Sequence, residues 1–137
     1  MTKIYSISTI RKKVREYGKK INAPSRLLTV PTTSDGFGTP YVEIDNTGYN
    51  YVVSERGTEF ERRQTNDINK LLYWIFKSIV FIMASDYELD HRKPHEDFRR
   101  QLFAKTIELM EKLDSNFLRW EKEEIEKILK ENPYEDD

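Results

Sequence analysis

The stretch LLYWIFKSIVFIMA, Leu71 to Ala84, constrains this chain more than any other. Only Lys77 and Ser78 interrupt its apolar side chains. A helix that is apolar around its circumference has to be covered on most sides. The run falls short of the roughly 18 uninterrupted apolar residues that argue for a membrane span, so it reads as the central helix of a core. Thr65 or Asn66 is available to cap it, and Asp67 falls in the first turn, where the helix dipole favours an acid. Pro94 ends this helix or starts the next.

The flanking sequence supplies the cover. Ile7, Ile10, Val14, Tyr17 and Ile21 recur at spacings of three and four, which predicts an amphipathic helix over about 8–22, with Ser8 or Thr9 as cap. Residues 26–54 switch to β-branched and aromatic residues in short runs, separated by SDGFGTP and DNTG. That texture predicts three strands, near 27–31, 40–45 and 49–55, joined as an antiparallel meander. Alternation along the last two places Val42 and Ile44 opposite in sense to Tyr41, Glu43 and Asp45, and Tyr49, Tyr51 and Val53 opposite to Asn50, Val52 and Ser54. After Pro94, Phe98, Leu102, Phe103, Ile107, Leu109, Met110 and Leu113 outline a further helix over 95–113. Asp114, Ser115 and Asn116 mark a restart, and Phe117, Leu118, Trp120, Ile125, Ile128 and Leu129 outline a last helix to about 131.

The expected fold class is therefore α+β: an N-terminal helix, a small three-stranded antiparallel meander, then three C-terminal helices packed on it. With 137 residues, no repeat and no low-complexity linker, one domain over 1–137 is expected, with an acidic tail at 132–137 that frays.

Composition narrows the chemistry. The chain has no cysteine, which excludes disulfides, thiolate metal ligands and a cysteine nucleophile. That absence, with a first segment lacking the pattern of a secretory signal, points to the cytoplasm. Net charge is −1, unevenly spread. Residues 1–26 carry eight Lys or Arg against one Glu, and residues 121–137 carry three Lys against eight acids. The basic helix face, Arg11, Lys12, Lys13, Arg15, Lys19 and Lys20, suggests nucleic-acid binding or a regulatory role as the alternative function. The overall balance is far from the strongly basic footprint of such proteins. The acidic residues Glu121, Glu123, Glu124 and Glu126 form a candidate charged partner surface.

No catalytic constellation emerges, and no cofactor is expected. His91 and His95 have the i, i+4 spacing of a helical metal pair, but Pro94 between them breaks the helix such a pair needs. Glu55, Glu59 and Glu61 could be sought as paired hydrolytic acids, yet Arg56, Arg62 and Arg63 around them hold carboxylates ionised rather than raising a pKa. Asp35-Gly36-Phe37-Gly38 lacks the Lys and Ser or Thr of a phosphate loop.

The remaining conspicuous segment is Tyr51-Val52-Val53-Ser54-Glu55-Arg56-Gly57-Thr58-Glu59, followed by Arg62-Arg63. Gly57 lies where strand is expected to turn into helix, a place for a positive φ. Glu55, Arg56, Gly57, Glu59, Arg62 and Arg63, backed by Tyr73 and Trp74, form a candidate hinge and interaction cluster rich in residue types favoured at binding hot spots. Together with Leu71-Leu72-Tyr73-Trp74-Ile75-Phe76, and later Tyr87-Glu88-Leu89, His91-Arg92 and Asp97-Phe98-Arg99-Arg100, this run resembles the Imm63 family of bacterial immunity proteins over about residues 40–120. The resemblance implies a cytoplasmic, non-enzymatic protein that neutralises a cognate toxin domain by direct stoichiometric binding, with no nucleic acid or membrane involved. It transfers no residue-level role.

Overall fold

The structure, a computed structural model, describes residues 2–137. Its elements are α1 (Ile7–Lys20), a short 3-10 turn (Ser25–Leu27), β1 (Tyr41–Asp45), β2 (Gly48–Glu55), β3 (Thr58–Thr65), α2 (Ile68–Asp90), α3 (Phe98–Leu113) and α4 (Ser115–Glu131). The class is the α+β one that the sequence pattern implies: one helix, a three-stranded antiparallel sheet in the order β1-β2-β3, and three helices. Two compact units divide the chain, one of residues 1–19 and 24–76, the other of residues 20–23 and 77–137, so the boundary falls within α2.

In the first unit, Ser6 rather than Ser8 or Thr9 caps α1, its Oγ accepting the Thr9 N–H at 3.2 Å. The apolar stripe of α1 is buried at Ile10 and Val14, and Tyr17 meets Phe76 of α2 edge-on with ring centroids 5.9 Å apart. The edge of one ring facing the π-cloud of another is a favoured aromatic geometry.

Two local expectations give way here. No strand forms at 27–31: the 3-10 turn precedes it, the Arg11 guanidinium binds the Val30 carbonyl at 2.8 and 3.1 Å, and the Pro31 carbonyl accepts from Val42 N–H. The third strand lies instead at 58–65, where a helical turn was expected. Gly57 does not join sheet to helix. Arg56 (φ 51°) and Gly57 (φ 80°) are the two central residues of a tight β2–β3 hairpin, with Glu55 paired to Thr58. Two-residue hairpins favour positive φ at both central positions because that twist matches the strands.

The strand register assigns the faces. Val42 pairs with Tyr51 and Ile44 with Tyr49, and Tyr51 and Tyr49 pair onward with Arg63 and Thr65. This face turns toward the helices: Tyr51 lies against Trp74 of α2, and the Tyr49 hydroxyl accepts the Tyr5 N–H at 2.7 Å. The opposite face carries Tyr41, Glu43 and Asp45, then Asn50, Val52 and Ser54, then Gln64, Arg62 and Glu59. The alternation expected for β1 and β2 holds.

Asp67, not Thr65 or Asn66, caps α2, its Oδ1 accepting the Asn69 N–H at 2.9 Å. Among the described residues α2 is the one helix long and apolar enough to cross a membrane by length and composition, despite Lys77 and Ser78. Burial of Leu71, Leu72, Phe76, Val80 and Ala84 accounts for that composition within a folded core. Beyond Val80 the cover thins, leaving Phe81, Ile82 and Leu89 exposed.

In the second unit, α3 buries Leu102, Leu109, Met110 and Leu113, and α4 buries Phe117 and Ile125. Asp114 separates these helices and caps α4, accepting from Asn116 and Phe117 N–H at 2.8 and 3.2 Å. The tail at 132–137 is anchored rather than frayed. Arg99 donates to the carbonyls of Asn132 and Pro133, Asp97 accepts the Glu135 N–H, and Asp136 receives both the Asp97 N–H and the Arg100 guanidinium. Arg100 also stacks on Tyr134, 4.2 Å from the ring centroid.

Candidate interaction surface

The charged segment after β2 becomes a surface by virtue of one irregularity. Ser54 pairs with Glu59 and Val53 with Glu61, so Phe60 is an extra residue in β3 with no partner opposite it. In a regular strand, residues three apart point to opposite faces. The bulge adds one position, and Glu59 and Arg62 come to share a face. Arg62 then binds Glu59 with Nη2–Oε1 at 2.7 Å and reaches Glu43 on β1 at 2.9 Å. Its side chain must therefore cross β2, where its register partner Val52 is 0% exposed although it lies on the polar face. The hydrogen bond from Arg62 holds the Glu59 carboxyl below its ordinary range, and donating to the Glu59 and Glu43 carboxylates raises the Arg62 guanidinium further. Being exposed, these pairs contribute little to stability. They fix where the charges stand.

On the other face Arg63 leans inward. Its guanidinium lies 5.7 Å from the Trp74 ring centroid and its Nε bonds Glu61. Arg and aromatic stacking of this kind keeps the cation in place while leaving its outer edge wet.

Of the eight residues expected as hinge and interaction cluster, Glu55, Arg56, Gly57, Glu59, Arg62 and Arg63 line one exposed hairpin. Trp74 is half-buried beneath Arg63, and Tyr73, at 5% exposure, belongs to the core and not to any surface. The acidic helix divides similarly. Glu123, Glu124 and Glu126 are exposed on α4, whereas Glu121 is 7% exposed and faces Lys77 at 3.4 Å.

Two residues that the sequence does not single out complete the hairpin end. Phe37 is 86% exposed and forms an isolated antiparallel bridge with Glu55, and Phe60 is 66% exposed at the bulge. The signal for Phe60 was there: a lone aromatic in a run of charges, with no apolar residue two positions away to share a buried face. Asp35 holds the Phe37 loop by accepting from the Thr39 hydroxyl and the Phe37 N–H, bonds that lower its carboxyl pKa. Gly36 and Gly38 supply the positive φ that this turn needs.

The histidines show no metal-like geometry. The His91 ring stacks on Tyr87 at 4.0 Å, its Nδ1 is 2.9 Å from the Tyr87 carbonyl, and His95 sits in the turn with φ 66°. Among the described residues, no three His, Asp or Glu side chains converge as a metal site would require. A shallow polar depression of about 220 Å³ lies at the other end of the sheet, lined by Thr47, Gly48, Asn50, Gln64 and neighbours. The Asn50 amide there is occupied by Gln64 and Asp45.

A family model for Imm63, Immunity protein 63, matches residues 45–127, more than half of the chain. The chain belongs to the Imm63 family. The matched span starts at Asp45, the last residue of β1, and takes in β2, the bulged β3, α2, α3 and most of α4. The exposed hairpin of this immunity-family protein thus falls inside it, while Phe37 and α1 fall outside. No curated protein and no solved structure matches the Imm63 chain.

Proposed function

We propose that the protein neutralises a cognate bacterial toxin domain by direct, stoichiometric binding, with no chemistry of its own, in the cytoplasm of the cell that makes the toxin. Membership of the Imm63 family is the observation that carries this reading. The sheet end supports it. Exposed aromatic rings at Phe37 and Phe60 stand beside charges already held by their own neighbours. Such preorganised groups lose little freedom on association, charged surroundings speed encounter, and aromatic anchors slow release. The acids Glu123, Glu124 and Glu126 offer a second contact surface for a basic toxin.

The alternative, nucleic-acid binding through α1, loses material. Arg11 is bound to Val30, Lys13 lies over the Tyr5 ring, and Lys20 donates to the Leu113 carbonyl. The test is calorimetry with the toxin domain encoded beside this gene. We expect one-to-one binding and rescue of cells expressing that toxin. Absence of binding, or a salt-sensitive shift of nucleic acid, would defeat the reading.

A further inference from the structure

We propose that the toxin domain is gripped at the free edge of β3, where an extended toxin segment adds as a fourth, antiparallel strand. This inference rests on the toxin-binding reading above and names the surface that performs it.

An edge strand turns alternate N–H and C=O groups away from its one neighbour, and each such group needs a partner once water is removed. At the β1 edge the chain provides cover, since Val42 N–H donates to the Pro31 carbonyl. At β3 it does not. Among the described residues, the backbone of 58–65 pairs with β2 alone, and residues 58–64 are all exposed.

Edges are commonly guarded by lysine, by proline or by outward charges. β3 has neither lysine nor proline. Its two arginines are drawn onto opposite faces, Arg62 across β2 to Glu43 and Arg63 down onto Trp74. The bulge disturbs the edge only near the turn, which leaves Glu61–Thr65 as a regular five-residue ladder.

Charge specifies the occupant. Although paired within the sheet, Arg62, Arg63 and Glu61 keep side-chain exposures of 36%, 45% and 43%. An antiparallel segment meets the two arginines before Glu61, so the complementary toxin strand carries acidic residues first, then a basic one, then an apolar residue reaching the exposed Phe60 ring.

Amide exchange followed by NMR on the full chain tests this, with the toxin domain encoded beside the gene as the probe. In the free protein every second amide of Glu61–Thr65 should exchange without protection. Addition of the toxin domain should slow those amides by about tenfold or more. Because Val42 N–H faces away from β2, alternation through the register turns the Gln64 N–H outward. Gln64→Pro, compared with Gln64→Ala, which equally loses the bond to Asn50, should keep the melting temperature of the alanine variant and weaken toxin binding about tenfold beyond it. Binding of the toxin with unchanged exchange in β3, or undiminished affinity of the folded proline variant, would overturn the strand-addition proposal and leave the toxin-binding reading standing. Concentration-dependent protection of β3 in the free protein would assign the edge to a second copy and overturn it too. A toxin domain that does not bind at all would remove the functional reading itself.

Discussion

Gly48 and Gly57 both have positive φ, yet substitution at each should have very different consequences. At Gly57 (φ 80°) an added Cβ meets nothing within 4 Å. Only the left-handed backbone resists, which costs about 1–2 kcal/mol for an L-residue. At Gly48 (φ 149°) the new Cβ would stand 2.5 Å from the Thr65 carbonyl oxygen, 3.1 Å from its carbon and 3.2 Å from Asn66 Cα. All three atoms are backbone, so no side chain can swing aside. Strain of about 1–3 kcal/mol is joined by an overpacking cost of about 1–3 kcal/mol, so about 4 kcal/mol is expected for Gly48→Ala. Relief would require moving the end of β3, immediately before the Asp67 cap of α2. Urea unfolding of both alanine variants reads the difference. Gly57→Ala should lower stability modestly, and Gly48→Ala at least twice as much. A Gly48→Ala variant as stable as wild type, or the reverse ranking, would refute the close approach of β2 to the β3–α2 junction.

Phe76 is fully buried and meets Tyr17 edge-on; Phe76→Ala should cost about 3–5 kcal/mol in chemical denaturation. Asp114 supplies the only side-chain cap described for α4, so Asp114→Ala should cost about 0.5–2 kcal/mol, with increased amide exchange at Asn116 and Phe117. The tail should detach in acid. Hydrogen bonds from Arg99 hold the Asp97 carboxyl well below the usual carboxylate range, and those from Arg100 lower that of Asp136. Because the folded pKa values lie beneath the unfolded ones, this anchorage is complete above the ordinary range near pH 4. It is lost as pH falls through the folded values. Exchange at residues 132–137 should therefore rise only well below pH 4, and fast exchange there at neutral pH would contradict the anchored tail.

The helices were legible because their signals are local. Apolar spacing located α1, α3 and α4, and the near-continuous block from Leu71 located α2. The β1 and β2 faces were legible for the same reason, alternation with one covered side. β3 was not, because a strand at an open edge with charged residues on both faces has no apolar alternation to display. Its one announcement is the Arg56-Gly57 pair, whose positive φ values make a tight hairpin. Conversely, residues 27–31 have strand-like side chains, but Arg11 takes the Val30 carbonyl that a ladder would have used. For the surface, the sequence located the charges and overlooked the rings at Phe37 and Phe60. It also included Tyr73 and Glu121, whose burial follows from tertiary packing that no local pattern records.

The single unmatched residue at position 60 acts as a phase shifter for everything that follows it in the strand. Were it paired opposite Val53 instead, every later residue would slip by one: Arg62 would fall opposite Tyr51 on the helix side, Glu43 would lose its cation from two strands away, and Arg63 would leave the indole for the other face. The layout of this protein's outer wall is thus written in the register of β3 on β2 as much as in the identities of its residues, and deleting Phe60, which makes Ser54–Glu59 and Val53–Glu61 consecutive pairs, should keep that layout while removing the exposed ring.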